Sequence, residues 1–201
     1  QNPAAAQALV GIKPTFGLVP NAGVVPLAGS TRDVVGPHAR TVHDAAVMLD
    51  VIAGYTAEDA KTVASIGNIP RKGYTSKLNS LALKNKRISL YGPGWLGEEL
   101  TAETQQLYDR AVKELESQGA IVVTDPFADT EFAEFAKSAG SIGIESIVYD
   151  MEQYLKRLGP DAAIKSVHEL IKKTGETPSA LAKYEEALKN PDAIPDLSKF
   201  T

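Results

Sequence analysis

The sequence predicts an α/β protein, because strand-like runs and long helical patterns occur in the same 201-residue chain. Three observations predict this class. Residues 1–40 carry short β-branched runs separated by glycine and proline. Residues 86–124 read in the order strand, helix, strand, and residues from 129 to 189 carry mainly helical patterns. Such a mixture favours helices packed on a sheet.

The first forty residues are expected to form loops and short strands. The apolar runs at 9–10, 16–19 and 23–27 are too short for helices. Four prolines interrupt any helical pattern and fix extended or turn backbone: Pro14, Pro20, Pro26 and Pro37. Frequent glycines in this stretch indicate places where backbone approaches a neighbour closely.

Residues 41–54 are predicted to form a buried helix. Thr41 and Asp44 are spaced as a capping pair, and Gly54 is a natural stop. Apolar residues recur at helical spacing at Val42, Ala45, Ala46, Leu49, Ile52 and Ala53. Three further apolar residues, Val47, Met48 and Val51, widen this face. We therefore expect the helix to be among the most buried segments.

The next part of the chain predicts a β-α-β crossover. Residues 55–84 are polar and loop-like, with a turn of helix near 76–83. Residues 86–92 are expected to form a strand, 101–118 an amphipathic helix and 120–124 a buried strand. This order predicts a parallel strand pair.

The last part of the chain is predicted to be helical. Glycine and proline divide it into three segments, at about 129–157, 160–174 and 177–189. Beyond residue 190 the sequence is rich in proline and aspartate, and a loose end is expected.

Composition disfavours several functional classes. The net charge is −4, from 21 basic and 25 acidic residues, which argues against a nucleic-acid partner. No apolar run approaches the roughly 20 residues that a membrane span requires. With no cysteine and three scattered histidines, a metal site is not expected, and neither is a cofactor. The compartment is left open.

The residue pattern alone does not assemble a catalytic site. Ser30, Thr31, Arg32 and Asp33 precede His38 by a few residues, but we favour turn residues that bond their own backbone. Four other features carry weaker suggestions and have commoner structural explanations: Lys13, the glycine-rich loop 92–97, Trp95 within it, and the acidic Glu98, Glu99 and Glu103 near a helix start.

Two blocks of the sequence resemble the amidase signature family. The first runs from Asn2 to Ala28 and contains GlyIleLysProThr and GlyValValPro; the second contains Asp33, Gly36-Pro37, Arg40-Thr41-Val42 and Asp44-Ala45-Ala46. Several short motifs agree with those of the family in order and spacing across residues 1–54. The helical tail carries no such resemblance.

The resemblance implies a C–N hydrolase with an α/β fold, a mixed β-sheet wrapped by α-helices. It implies a Ser–cis-Ser–Lys triad, in which lysine and the bridging serine activate the nucleophilic serine, and an oxyanion hole of backbone N–H groups. All of these parts precede the GlyIleLysProThr word, so none is expected in this chain. Lys13, Asp33, Arg40 and Asp44 are expected to be structural.

Gln1 falls where the family pattern Gly-Gly-Ser-x-Arg-x-Pro-Ala has arginine, two residues after the nucleophile. We assign Gln1 to substrate binding. Glutamine offers neutral hydrogen bonds, whereas arginine pairs with a carboxylate. This difference favours neutral small-molecule amides as substrates.

The resemblance also implies how the chain is organised. We expect residues 1–125 to form the C-terminal part of the amidase core, and 126–201 a helical portion packed on it or extending from it. We expect this chain to be part of a longer enzyme and to be inactive alone. Strands at 9–27 would then lack upstream partners, which favours binding of the upstream half, with self-association second. The alternatives are an amidotransferase A-type subunit or a non-catalytic binding module.

Overall fold

A computed structural model of the chain describes residues 2–27, 30–90, 100–138, 146–174 and 189. The chain divides into two compact units, one from residues 1–77 with 142–201 and one from 78–141. Helices and strands occur in both units, which confirms the α/β class. The predicted division at residue 125 stays a prediction. In the described ranges, no helix has both the length and the apolar character that crossing a membrane requires.

The first unit opens with a short helix and a small antiparallel sheet. Helix α1 (Asn2–Ala6) was not predicted, although a proline followed by alanines is a good helix start. Strands β1 (Val10–Gly11) and β2 (His38–Ala39) pair antiparallel. The Ile12 N–H continues this pairing by donating to the Pro37 carbonyl at 3.1 Å. The loop between β1 and β2 carries the turns that the prolines predict.

Helix α2 (Val42–Ile52) confirms the predicted helix and its start. The Thr41 hydroxyl accepts a hydrogen bond from the Asp44 N–H at 3.0 Å, and the helix ends before Ala53. One face of α2 is buried through Ala45, Ala46 and Leu49. This face contacts β1, β2 and a 3₁₀ turn at Thr75–Lys77.

The prediction that α2 is largely buried is wrong for this chain. Val47 and Met48 are each 42% exposed and Val51 is 79% exposed. The reason lies in the angles around the helix. At about 100° per residue, Val47 and Val51 point away from Ala45 and Leu49, and Met48 lies at the border of the buried face. The described residues of this chain leave all three partly exposed.

The carboxylate of Asp50 ties α2 to the segment beyond the second 3₁₀ region. A first 3₁₀ helix spans Ala60–Ser65. Asp50 accepts hydrogen bonds from the backbone N–H of Tyr74 and from the N–H and hydroxyl of Thr75, the latter two at 3.3 and 2.8 Å. The chain reaches this carboxylate closely because Gly73 has no Cβ.

The core of the first unit lies where helices α5 (Ile147–Arg157) and α6 (Val167–Thr174) pack together. Its buried members are Ile147, Val148, Leu155 and Val167. The Glu152 carboxylate, itself buried, accepts a hydrogen bond from the Val167 N–H at 2.8 Å. This bond satisfies a backbone donor that the start of a helix leaves without an intrahelical partner.

The predicted helix at 160–174 begins seven residues late, at Val167. The physical reason is a pair of local capping bonds that apolar periodicity alone does not reveal. The Ser166 hydroxyl accepts from the Glu169 N–H at 3.1 Å, and the Glu169 carboxylate accepts from the N–H of Lys165, the residue before the cap, at 2.8 Å. The first is the serine bond of a capping box, and together the two bonds fix the helix start. The predicted helix at 177–189 lies outside the described residues, apart from helical Lys189.

The second unit confirms the predicted β-α-β crossover. Strand β3 (Arg87–Ser89) pairs parallel with β4 (Ile121–Val123), with Ile88 opposite Val122. Helix α3 (Ala102–Ser117) connects them and is capped by the Thr101 hydroxyl. Gly119, with φ of 86°, ends this helix.

Strand β4 is less buried than predicted. Ala120 is buried, but Ile121 is exposed. A pair of strands buries its side chains only where another element packs on its face, and the described residues of this unit form no layer over Ile121. Helix α4 (Phe132–Ser138) and α5 represent the two ends of the predicted helix at 129–157, and residues 139–145 between them lie outside the described ranges.

Candidate functional site

A polar cleft in the first unit is the candidate functional site. It lies between residues 21–26 and 30, the first 3₁₀ helix with the residue before it, and α5. Its volume is about 90 Å³. A second cleft of about 470 Å³ adjoins it and shares Ala22, Gly23, Tyr154 and Arg157. The polar residues lining the first cleft are Asn21, Ser30, Asp59, Lys61, Asp150, Tyr154 and Arg157.

Asn21 and Asp33 hold the loop in place from within. The Asn21 N–H donates to the Asp59 carboxylate at 2.8 Å, and its side-chain amide donates to the Asp33 carbonyl at 3.0 Å. The Asp33 carboxylate in turn accepts from the Leu27 N–H at 2.8 Å. Asparagine and aspartate are suited to this because their short side chains bond to nearby backbone.

Helix α5 holds the other end of the loop. The Ser30 N–H donates to the Asp150 carboxylate at 3.1 Å, and the Thr31 and Ser146 hydroxyls lie 2.8 Å apart. Both Asp150 and Ser146 are buried. Bonds across more than a hundred residues of sequence therefore fix the geometry of the loop.

The charges around the cleft are balanced. The Lys61 ammonium lies 2.5 Å from the Asp59 carboxylate, and the two side chains are 11% and 13% exposed. This ammonium is also 5.6 Å from the centre of the Phe16 ring. Asp150 and Arg157 add one charge of each sign. A cleft with two carboxylates and two cations suits a neutral polar ligand better than a strongly anionic one.

Two side-chain oxygens in the cleft have unused hydrogen-bonding capacity. Asn21 Oδ1 and Ser30 Oγ are buried and have no hydrogen-bond partner within the ranges that the structure describes. Unsatisfied buried polar atoms are uncommon. The histidines His38, His43 and His168 do not line the cleft, so it lacks the imidazole base that commonly activates a serine.

The structure separates the residues between Ser30 and His38. Ser30, Thr31 and Asp33 bond to backbone or to α5, Arg32 is exposed, and His38 is exposed on β2. The bonds of Asp33 agree with a structural role for it. Lys13 and Arg40 are exposed. Gln1 and the loop at 92–97 with Trp95 lie outside the described residues.

Sequence reasoning missed the contribution of α5. Ser146, Asp150, Tyr154 and Arg157 follow one another at intervals of four, four and three residues, which places them along one helix face. Polar residues repeating at this spacing, next to the apolar core positions of the same helix, were the sequence pattern that could have predicted a polar face. No group of metal-ligating side chains was found in the part of the chain that the structure describes.

Comparison with known proteins gives the same result by sequence and by structure. The family model described as Amidase matches residues 1–183. Among curated relatives, the A-type subunit of the glutamyl-tRNA(Gln) amidotransferase of Rippkaea orientalis is 36% identical over 122 residues, 61% of this chain and 24% of that protein. A probable amidase of Arabidopsis thaliana is 37% identical over 124 residues, 62% of this chain and 22% of its own length.

Solved amidases share the fold. The native peptide amidase of Stenotrophomonas maltophilia superposes with a TM-score of 0.64 and 29% identity, covering 94% of this chain and 37% of that one. An amidase family protein of Bacillus anthracis gives a TM-score of 0.66 with 27% identity, covering 86% and 32%. The chain spans about a quarter of the length of the curated relatives it matches. The chain belongs to the amidase family, the amidase signature family that its sequence motifs resemble.

Proposed function

We propose that this chain is part of an amide (C–N bond) hydrolase and supplies the segment that follows the catalytic nucleophile. The observation that carries this proposal is the family match over residues 1–183. In the family pattern, the Ser–cis-Ser–Lys triad precedes the GlyIleLysProThr word that starts here at Gly11. The activity therefore depends on residues that this chain does not contain.

The polar cleft favours a supporting role rather than a nucleophilic one for the residues present. The Asp150 carboxylate accepts from the Ser30 N–H rather than from its hydroxyl, and the Lys61 ammonium pairs with Asp59. Within the described residues the Ser30 hydroxyl is hydrogen-bonded to no base. A serine without a base is a weak nucleophile. We therefore propose that the chain alone hydrolyses no amide.

The proposed substrate is a small, neutral amide. The balanced charge of the cleft favours this class over a carboxylate-bearing amide. The proposed contact of Gln1 with substrate points the same way, because glutamine cannot form the bidentate ion pair of arginine. In the active enzyme, Gln1→Arg should raise kcat/KM for carboxylate-bearing amides relative to neutral ones. An unchanged ratio of the kcat/KM values for the two amide classes would show that Gln1 does not contact the substrate.

The direct test is ammonia release from a peptide amide by the purified chain. We expect no turnover above buffer, since loss of the nucleophile leaves only what binding and an oxyanion hole provide. Ser30→Ala serves as a control. Turnover by the chain that Ser30→Ala abolishes would place a nucleophile in the cleft and contradict the proposal. Turnover that Ser30→Ala leaves unchanged would point to a contaminating enzyme.

A second candidate is an amidotransferase A-type subunit, which supplies ammonia to a partner protein. Its support is the 36% identity to the A-type subunit of a glutamyl-tRNA(Gln) amidotransferase. The two candidates differ in the fate of the ammonia: an amidase releases it to solution, whereas this subunit supplies it to a partner protein. A third, non-catalytic role as a binding module predicts no hydrolysis of any amide even when the rest of the fold is present.

A further inference from the structure

The two clefts of the first unit meet along one side of α5. Tyr154 and Arg157 line both clefts, and Asp150 lines the smaller one. The opposite side of the helix packs in the core through Val148 and Leu155. Packing therefore holds the three polar side chains on a fixed helix, and binding groups are positioned more precisely on such an element than on a loop. We name the surface formed by Asp150, Tyr154 and Arg157 the polar face of α5.

Each member of the polar face has hydrogen-bonding capacity that the described residues leave unused. The Oδ2 atom of Asp150 accepts from the Ser30 N–H, and its Oδ1 atom has no partner within the described ranges. The Tyr154 hydroxyl also lacks a partner there. Arg157 makes one bond to the described residues, a long one of 3.5 Å to the Glu58 carbonyl, so most of its N–H donors are available.

The order of these groups along α5 indicates a ligand. Taken singly they have ordinary explanations, since a tyrosine hydroxyl can face water and an arginine near a helix C-terminus interacts favourably with the helix dipole. Together, however, an acceptor, Asp150, is followed four residues later by one donor, Tyr154, and seven residues later by another, Arg157. These intervals spread the groups over about 10 Å of one side of the helix. A ligand that matches this order carries N–H groups at one end and carbonyl groups towards the other.

The two clefts fit such a ligand. The smaller, of about 90 Å³, admits only a small polar group, whereas the adjoining cleft of about 470 Å³ has room for several further atoms. A single amide group carries its N–H and carbonyl side by side and cannot reach both ends of the polar face. An extended peptide advances about 3.3 Å per residue, so about three residues span this length. The peptide backbone supplies one N–H and one carbonyl per residue and carries no charge.

We infer that the polar face of α5 binds the peptide backbone of the substrate, which makes short neutral peptide amides the substrate class. Asp150 accepts from a backbone N–H of the substrate, and Tyr154 and Arg157 donate to its carbonyl groups. This inference rests on the proposed function and assigns to it a substrate class and three specificity-determining residues.

Binding to the purified chain tests the inference without requiring turnover. Two neutral ligands are titrated while the amide resonances of the chain are followed by NMR: N-acetyl-alanyl-alaninamide, which has a peptide backbone, and propionamide, which has a single amide group. We expect saturable binding of the peptide amide, with a dissociation constant at least about fivefold lower than that of propionamide, because it forms additional hydrogen bonds. The resonance shifts should centre on the residues of α5 that line the clefts.

Substitutions on the polar face assign the contacts. Tyr154→Phe removes one hydroxyl and keeps the ring, and Arg157→Gln removes the charge and most of the donors. Each should weaken binding of the peptide amide by about two- to tenfold, the usual effect of one lost hydrogen bond, and leave binding of propionamide unchanged. Two controls should bind both ligands as the original chain does: Tyr149→Phe, on α5 but outside both clefts, and Arg71→Gln, at an exposed position.

Equal binding of the two ligands, or no saturable binding of the peptide amide, would overturn the inference. Equal effects of Tyr149→Phe and Tyr154→Phe on binding would also overturn it. If the NMR spectrum shows that Tyr154→Phe does not fold, Arg157→Gln supplies the same comparison at an exposed position.

Failure of the proposed function gives a different result. Binding that depends on Tyr154, by a chain that releases no ammonia when combined with the rest of an amidase, would contradict the function and leave the inference in place. Turnover of the peptide amide that Tyr154→Phe and Arg157→Gln leave unchanged would contradict the inference alone.

Discussion

At the scale of single residues, a close backbone approach explains why glycine occupies residue 36, in one of the motifs that resemble the family. A Cβ at Gly36 would lie 1.9 Å from the Ile12 carbonyl oxygen and 2.8 Å from the Pro14 ring. The adjacent Pro37 carbonyl accepts the Ile12 N–H that continues the β1–β2 pair. Any side chain at residue 36 would therefore push apart the two segments that carry the family resemblance.

Gly36→Ala should destabilise the chain by about 1–3 kcal/mol or more, the usual range for overpacking a filled site. Urea unfolding monitored by circular dichroism measures the difference. Gly67→Asn is the control, because Gly67 has open space around its Cβ position and asparagine tolerates its φ of 78°. Equal stability of the Gly36→Ala variant and the original chain would show that these segments do not pack as described.

The Asp50 carboxylate is a titratable group whose hydrogen bonds connect α2 to the backbone of Tyr74 and Thr75. The hydrogen bond from the Tyr74 N–H, together with those of Thr75, holds the pKa of Asp50 below its ordinary value. Its contribution to stability is then present above about pH 4 and is lost as the pH falls through the lowered folded-state pKa. Burial, and secondly the Asp50 charge, raise the pKa of Tyr74, so its contribution is lost as the pH rises beyond about 10.

Asp50→Asn should therefore be less stable than the original chain at pH 7, with a difference that shrinks below about pH 4. Urea midpoints measured between about pH 3 and pH 7 test this expectation. Asp161→Asn, at an exposed carboxylate, should show little difference at any pH. A difference in urea midpoint between Asp50→Asn and the original chain that stays constant across this whole pH range would contradict this role of the Asp50 carboxylate.

At the scale of elements, local signals in the sequence predicted what local physics determines. Thr41 and Gly119 mark helix ends, and alternation of strand, helix and strand predicted the parallel pair of β3 and β4. Ser166 with Glu169 three residues later is an equally local signal, and it marks the start of α6 better than the apolar pattern does. By contrast, Glu152 bonds to Val167 through tertiary packing, and no periodicity in either helix announces such a bond.

The two sides of α2 should respond differently to truncation. Leu49→Ala should cost about 2–5 kcal/mol, because it removes buried atoms and leaves a cavity. Val51→Ala should change the stability of the isolated chain by no more than about 0.5 kcal/mol, as is usual for an exposed position. Thermal and urea unfolding measure both. A loss below about half a kcal/mol for Leu49→Ala would mean that its side is not packed.

At the scale of the whole molecule, the sequence predicted the family and the class of fold but not the cleft. The words between Gly11 and Ala46 were sufficient for the family, which the match over residues 1–183 confirms. The cleft depends on bonds such as Ser30 to Asp150, which join residues 120 positions apart. No local pattern in one sequence encodes such a pairing, because it arises only when the helical tail packs on the loop.

The size of the whole fold also explains why the prediction that α2 is largely buried was wrong. Its sequence suits a helix packed on both sides, whereas this chain supplies one side. The pattern of α2 is that of a buried helix, and the error lay in expecting these residues alone to bury it.

The most direct test of this account is ammonia release from a peptide amide by the chain with and without the complementary part of peptide amidase. We predict turnover only when both parts are present, and none when the nucleophilic serine of the complementary part is replaced by alanine. The isolated chain should stay at the buffer rate. Turnover by the chain alone that Ser30→Ala abolishes, or a stable complex with an intact serine that releases no ammonia, would contradict the account.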